Sequence, residues 1–516
     1  LIKNGVQRMI PNGYKPFVSD DHFKQEVYQK IEKVYAKKEA QMLASISAIF
    51  DIIPIKDGMT LSFHHHYRNG DLLVNMVAEE IKKRGLKNMT FAPSSIFPVH
   101  KPLSDLIKNK HITSIYTNYI SGDVADTISY GHMKDLLIMD THGGRARAIE
   151  TGDINIDVCF IAASAADKHG NANGIDGPNP CGPLGYIYPD LYYAKHKVIV
   201  TDTILDKLSS NDIDHSFVDY IIKVSQIGLS TGIESGTTQM TKDPIQLKIA
   251  KDTVNLVKEL GLIKDGLSFQ TGAGSTSIAV SHFLKGEMVK QNIKGSFASG
   301  GITKSLTSMF EDQLFDDLYD VQSFDLEAVE SYKKNKHHHL MDASQYANPF
   351  YKDNIASKLD IVILGATEVD LNFNVNVTTS STHKLMGGSG GHSDTAYESK
   401  LTIITTNLVK SRIPFIKDHV ETISTPGTSV DIVVTERGIA VNPRRKDLLE
   451  KLKDSLLNIT PIESLYQKAL DITYKPEPIK HKERIIGLIR YRDGSIIDSI
   501  YEVDHKWWII WLGIYF

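Results

Sequence analysis

A chain of 516 residues with 41% hydrophobic and 23% charged residues has ordinary globular composition and is too long for one domain; two or three domains of about 150–250 residues each are expected. Its formal net charge of -4 argues against a nucleic-acid binder, which would present a basic face. The two cysteines, Cys159 and Cys181, exclude a disulfide framework and fit a reducing, cytoplasmic compartment.

The N-terminal LIKNGVQRMIPNGY has no apolar run of the signal-peptide kind, so none is expected. Residues 21–47 are charged and periodic and predict an amphipathic helix. A turn at 56–59 leads into LSFHHHYRNGD, read as strand then loop. Residues 72–85 predict a helix ending on Gly85 and residues 88–95 a strand, which makes a βαβ unit. Short strands are expected over 112–118 and 136–144. Residues 156–164 and 197–203 are richer in β-branched residues, as in strands buried on both faces of a parallel sheet.

Residues 226–244 are rich in Gly, Ser and Thr and mark a boundary. The expected division is 1–235, 236–503 and an apolar tail, 504–516. In the second part, a helix at 245–260 precedes a strand, glycine loop and helix over 266–284. Further strands are expected at 360–366, 401–406, 430–438 and 485–494. The halves read as two tandem α/β domains, each with a mainly parallel sheet flanked by helices. In such sheets ligands sit beyond the carboxyl ends of the strands. The tail holds the longest apolar run, Trp507 to Phe516, and all three tryptophans. It is about half the length that spans a bilayer. It either docks on the fold or is foreign to it, with a membrane-surface anchor as the alternative.

Candidate chemistry gathers in the loops. Gly387, Gly388, Ser389, Gly390 and Gly391, followed by His392, place four glycines in five residues. Backbone N–H groups there can turn onto an oxyanion or a phosphate; the alternative is a flexible hairpin loop. Just upstream lie Glu368, Asp370 and the alternating Asn372, Asn374 and Asn376. Gln270 and Thr271 run into Gly272, Ala273 and Gly274, a near miss to the dinucleotide fingerprint with Ser277 in place of the third glycine. A tight βα turn explains it as well, and its helix N-terminus suits an anion. Gly300 and Gly301 form a third small-residue loop.

His64, His65, His66 and Arg68 follow a strand. Neighbouring side chains diverge in extended backbone, so one metal cannot take all three imidazoles; one or two of them with Arg68 are expected to face an anionic substrate. His337, His338 and His339 lie in a polar stretch and read as solvent-facing. Arg145, in His142-Gly143-Gly144-Arg145, is a candidate carboxylate fork or a member of a charge pair. Cys159 lies in a buried strand pattern and reads as packing. No Gly-x-Ser-x-Gly elbow, Walker loop or zinc spacing occurs.

DGMTLSFHHHYRNGD, THGGRARAIETGDINIDVCF, GNANG, SFQTGAGSTSIAV, VQSFD, QYANP, EVDLNFNVNV, GGSGGHSDTA, SRIP and ERGIAVNP occur in one order. On these motifs the chain resembles the citrate lyase alpha subunit family, over nearly all of 51–503. The resemblance implies two tandem CoA-transferase-type domains. It also implies an assembly with a beta (lyase) subunit and a gamma acyl carrier subunit, whose dephospho-CoA-derived prosthetic group bears an acetyl thioester. The implied reaction replaces acetyl by citryl on that thiol, or on acetyl-CoA, and releases acetate; no tightly bound cofactor or metal of the chain's own is expected.

Many related CoA-transferases use a glutamate nucleophile, expected near residues 295–303, and this sequence has no Glu between Glu287 and Glu311. That absence fits the ternary complex and mixed anhydride that the resemblance implies, with Glu368 kept as a second choice of nucleophile. In this scheme the amides of 387–391 and 272–274 face the thioester, with Gln270, Gly300, Gly301, Asn374, Asn376 and His392 along the thiol carrier. Arg68, Arg145, one of His64 to His66 and Asn348, from QYANP, meet citrate. Glu368 and Asp370 orient neighbouring groups. Competing readings are another CoA-transferase or acyl-CoA hydrolase, a non-catalytic scaffold of the lyase assembly, and a nucleotide-dependent oxidoreductase resting on GAGSTS.

Overall fold

The computed structural model describes residues 1–19, 28–234, 239–476 and 480–504. The apolar tail beyond Asp504 lies outside them. Ten strands form the first sheet: β1 (Gln41–Leu43), β2 (Thr60–Phe63), β3 (Met89–Pro93), β4 (Ile112–Thr117), β5 (Leu137–Met139), β6 (Val158–Ala162), β7 (His196–Thr201), β8 (Tyr220–Lys223) and, from the far end of the chain, β17 (His481–Arg490) and β18 (Ile496–Val503). The second sheet has β9 (Ser268–Thr271), β10 (Gly295–Ile302), β11 (Phe315–Ser323), β12 (His338–Leu340), β13 (Ile361–Gly365), β14 (Leu401–Thr405), β15 (Ile432–Thr435) and β16 (Gly438–Val441). Pairing is parallel except at β15–β16 and β17–β18.

Strand order shows the kinship of the halves. The first sheet runs β18-β17-β5-β4-β3-β2-β6-β7-β8-β1, the second β12-β11-β10-β9-β13-β14-β15-β16. Apart from β1, which adds at an edge, each begins on a central strand, β2 or β9; the next three step away on one side and the following three on the other. Both sheets therefore have a topological switch point, between β2 and β6 and between β9 and β13, where the loops after adjacent strands diverge and leave a crevice.

The strands form where apolar residues run without alternation, because both faces are covered. Every residue of β6 is buried, and so is Val198–Val200 of β7. Helix α1 (Leu73–Arg84) buries Leu73, Val74, Val77, Ala78 and Ile81 on one stripe and stops at Gly85, whose φ of 68° closes the helix in the left-handed region. The other helices that bear on function are α2 (His142–Glu150), α3 (Pro244–Glu259), α4 (Ser275–Gln291), α5 (Ala343–Ala347) and α6 (His392–Glu398). Among the described residues no helix is long and apolar enough to cross a membrane.

Two expectations change. The helix expected over 21–47 does not form in its described part. Residues 28–40 instead run as an extended strap: Ile31 N donates to Glu150 O, Val34 N to Tyr192 O and Ala36 N to Ser216 O. Tyr28 stacks on Phe350 at 4.3 Å and Tyr35 on Phe217 at 4.6 Å. Contacts with distant segments override a helical period that has no interior of its own to face. The second change concerns the end of the chain. Strands β1 to β8 lie in the first sheet and β9 to β16 in the second, but β17 and β18 return to the first, β17 pairing in parallel with β5.

Arg490, at the end of β17, is bidentate on Asp140, with Nε 2.6 Å and Nη2 2.9 Å from the two carboxylate oxygens and the Asp140 side chain wholly buried. Arg490→Met strands that carboxylate and is expected to cost about 3–5 kcal/mol in urea denaturation. Adding Asp140→Leu is expected to recover most of the loss.

Candidate active site between the two sheets

The loops after the first sheet's strands meet those of the second. At the β2 switch point the three histidines diverge, as extended backbone requires. His64 turns into its own lobe, with Nε2 3.2 Å from Asp190 Oδ2 but outside hydrogen-bond geometry. The His65 ring stays in the first lobe, its Nδ1 hydrogen-bonded with Ser94 Oγ at 2.6 Å, while its carbonyl accepts from Gln322 Nε2 of the other lobe at 2.7 Å. His66 Nε2 accepts from Tyr186 N at 3.4 Å. The Tyr186 ring lies 4.5 Å from both His65 and His142. Burial, reinforced by neighbouring cations and imidazoles, pushes His65 well below the usual histidine range and His142 down to about 3. These rings are neutral at pH 7 and can only donate or accept hydrogen bonds.

Arg68 carries the charge. Its guanidinium lies over Phe324 at 4.5 Å and Phe97 at 5.6 Å, and Nη1 donates to Ile233 O at 3.2 Å. Burial lowers its pKa only to about 10, so it remains a cation, and among the described residues no carboxylate pairs with it. Phe324 reaches this position because Gly301 has no Cβ; any side chain there would enter the ring. Gly300, at φ +104° beside a register shift in β10, lies against Gln270. Gln270 donates Nε2 to Tyr346 Oη at 2.7 Å and accepts from Ser299 Oγ at 3.1 Å. Tyr346 in turn lies where a Cβ on Gly391 would be.

The glycine run 387–391 forms the lobe-to-lobe seam. Ile120 N donates to Gly387 O, Gly390 N to Asn118 O and His142 N to Gly390 O. A Cβ on Gly388 would meet Asn118 O, and Gly390, at φ +52°, faces His142 Nε2. Close approach of two backbones is thus one reason for these glycines, and the expectation of a flexible loop gives way to a docked one. Asp394 of α6 accepts from Thr141 Oγ1 at 2.8 Å, Gly143 N at 2.9 Å and Arg492 Nε at 3.0 Å. Ser389 Oγ is bonded with Ser393 Oγ at 2.9 Å.

Several expected site residues have other work. Arg145 is bidentate on Asp190 at 2.8 Å and donates to Ala92 O at 2.7 Å, all buried; both its terminal nitrogens are occupied inside the first lobe. Glu368 accepts from Lys417 Nζ, Ser381 Oγ, Asn376 Nδ2 and Glu421 N. Asp370 accepts from the amides of Asn372, Asn374 and Val420 and from Asn374 Nδ2. Both carboxylates are saturated, so they hold a small sheet together and are not free to attack a thioester. Asn374 and Asn376 belong to that same corner. Asn348 Nδ2 donates to Glu150 Oε2 at 3.1 Å and is fully buried. His392 bonds Thr425 Oγ1 at 2.8 Å and Gly365 O at 3.0 Å.

The second switch point opens a separate cleft of about 200 Å³, lined by Gly274 to Ser277 at the start of α4, Gly365, Thr406 and Lys410. Gly272 N donates to Ile363 O at 3.1 Å, and the first turn of α4 lines the cleft, a setting suited to an anion. Sequence reasoning left out His142, Tyr186, Gln322, Phe324 and Tyr346. His142, Tyr346, Gln322 and Phe324 stand inside motifs singled out there, the last two in VQSFD, whereas no local pattern marks Tyr186.

The family model described as "Citrate lyase, alpha subunit" matches residues 39–503. The chain belongs to the citrate lyase alpha-subunit family. The citrate lyase alpha chain of Escherichia coli K12 is 42% identical over 467 residues, covering 90% of this chain and 92% of the relative. That of Klebsiella pneumoniae is 39% identical over 501 residues, covering 97% and 98%. A crystal structure of a citrate lyase alpha subunit from Streptococcus mutans, solved in complex with citrate, superposes with a TM-score of 0.94 at 43% identity, covering 98% of this chain and all of that one. A Pseudomonas malonate decarboxylase structure, at 14% identity and a TM-score of 0.65 over 84% of this chain and 86% of that one, shares the fold alone.

Burial pushes His392 down to about 4. A histidine held neutral in the fold protonates in the unfolded chain near pH 6.5, so its contribution to stability is present above that pH and is lost as pH falls toward 4. From pH 7 to 5 the loss is expected to be about 2 kcal/mol. It is read as a drop in the urea midpoint that His392→Gln makes shallower.

Proposed function

We propose that this citrate lyase alpha-family chain acts as the citrate CoA-transferase component of a multi-subunit citrate lyase, exchanging acetyl for citryl on a CoA-type thiol between its two lobes. The observation that carries the reading is Arg68: a cation at the first switch point, held between two aromatic rings with no carboxylate partner among the described residues. It is electrostatically incomplete until an anion arrives. Citrate supplies one, and neutral His65 and His142 offer further hydrogen bonds without charge.

A citrate carboxylate on Arg68 attacks the acetyl thioester carbonyl. The C–S bond breaks to give a mixed anhydride and a thiolate. The thiolate then attacks the citryl carbonyl, the anhydride C–O bond breaks, and acetate leaves. Two tetrahedral oxyanions form on the way, and each hydrogen-bond donor aimed at one is worth about 3–4 kcal/mol. The 387–391 amides other than that of Gly390, which is given to Asn118 O, together with Gln270 and Tyr346, are the donors proposed for this task. Holding both anions in one site supplies up to roughly 7–11 kcal/mol in ideal cases. Ser299, Gly300 and Gly301 occupy the stretch where a covalent mechanism would need a carboxylate, and Glu368 is saturated, which favours a ternary complex. The cleft at Gly274 to Ser277 is assigned to the phosphate end of the thiol carrier. A gamma acyl carrier subunit is proposed to deliver that carrier, a beta subunit to cleave the citryl thioester, and the cytoplasm to be the setting.

The purified chain with acetyl-CoA, or with an acetyl-carrier, and citrate is expected to yield the citryl thioester and acetate by mass spectrometry; no product with either thiol refutes the assignment. Arg68→Gln is expected to raise the citrate KM about 10–100-fold, the worth of one charge-assisted hydrogen bond, with acetyl-thioester binding unchanged. Borohydride added with acetyl-CoA is expected to leave activity intact, since no enzyme-bound thioester forms; inactivation would establish a covalent carboxylate.

A further inference from the structure

We propose that Asp317, His337 and His339 form a surface binding site for a divalent transition cation of the zinc type. The site follows from strand periodicity. His338 of the edge strand β12 points inward, its Nε2 3.2 Å from Asp320 Oδ2 and its Nδ1 3.0 Å from Ser331 Oγ. Alternation sends His337 and His339 to the opposite, outer face. The parallel register pairs Leu318 with His338 and Tyr319 with His339, which sets Asp317 of β11 beside His337 on that same face. His337 Nδ1 is 2.9 Å and His339 Nε2 2.8 Å from the one oxygen Asp317 Oδ1.

The three donor atoms lie within 4.8 Å of one another. Donors around a tetrahedral zinc at about 2.0–2.1 Å stand about 3.4 Å apart, so small side-chain shifts close the site. Two imidazoles and one carboxylate favour zinc, cobalt, nickel or copper over magnesium or calcium. The side chains are 71% (His337), 38% (His339) and 30% (Asp317) exposed, which leaves the remaining coordination positions to water. Tyr319 stacks on His339 at 5.2 Å and fixes its ring. A second grouping, His64, Cys159 and Asp190, is as compact, but the Arg145 guanidinium bonded to both Asp190 oxygens opposes a second cation there.

The test uses the full chain without an affinity tag, titrated with zinc chloride by calorimetry and with cobalt(II) by visible absorption. The expected result is one more zinc bound by the parent than by the His337→Gln/His339→Gln double variant. That variant is also expected to lose a cobalt d–d band and a zinc-dependent rise in thermal midpoint, while Asp317→Asn weakens binding at least tenfold and magnesium does not compete. Equal zinc stoichiometry and affinity in parent and double variant would overturn the site, as would a parent chain that takes up no cobalt. Unchanged circular dichroism in the variants separates loss of ligands from loss of fold.

Discussion

Arg492 lies wholly out of water between Asp394 and Glu398, and the seam between the lobes depends on it. Such a buried arginine contributes little net stability compared with well-packed apolar side chains; its value is that it tolerates only one arrangement. Asp394 also accepts from Thr141 Oγ1 and Gly143 N. One carboxylate thereby fixes the start of α2, the start of α6 and the turn after β17 relative to one another. His142 is the first residue of α2 and the 387–391 run leads into α6, so the position of both follows from that one group.

Around this seam the site is polar but sparsely charged. Arg145 is neutralised by Asp190, Glu368 is paired with Lys417 and Asp320 meets His338. The imidazoles at the centre are held neutral by burial. The Arg68 guanidinium, between two aromatic rings, has no carboxylate partner among the described residues. Fixed dipoles and one cation in a dry setting interact strongly with an incoming anion and need little reorganisation when charge moves during reaction. The glycines serve the same end by geometry: each missing Cβ at 301, 388 and 391 admits a neighbour from another element.

Much of the fold was legible because its strands are self-contained signals. IDVCFIAAS and KVIVTDT announce strands covered on both faces, GAGSTS announces a turn into a helix, and the Gly/Ser/Thr-rich stretch near 235 announces the break between sheets. The strap at 28–40 was not legible, since its helical period is real but its partners, Glu150, Tyr192 and Ser216, are far away in sequence. The glycine run and Arg68, which the structure places at the lobe seam and at the first switch point, could be singled out from local chemistry. Arg145, Glu368 and Asn348 looked equally functional, because a residue's type says what it can bond but not that Asp190, Lys417 or Glu150 already bonds it. Tyr186 matters only through its contacts with His65, His66 and His142, which no local pattern encodes.

The return of β17 and β18 to the first sheet has a consequence for how the chain is made. β5 waits for a neighbour that is translated only after all of the second sheet. At about 5–20 residues per second, roughly 15–60 s separate synthesis of β8 from that of β18. Throughout that interval the nascent first lobe presents an open strand edge and an unpaired Asp140, while the second lobe is already emerging. The first lobe is thus completed by strands from beyond the second, so its edge at β5 closes only once the intervening lobe has been made.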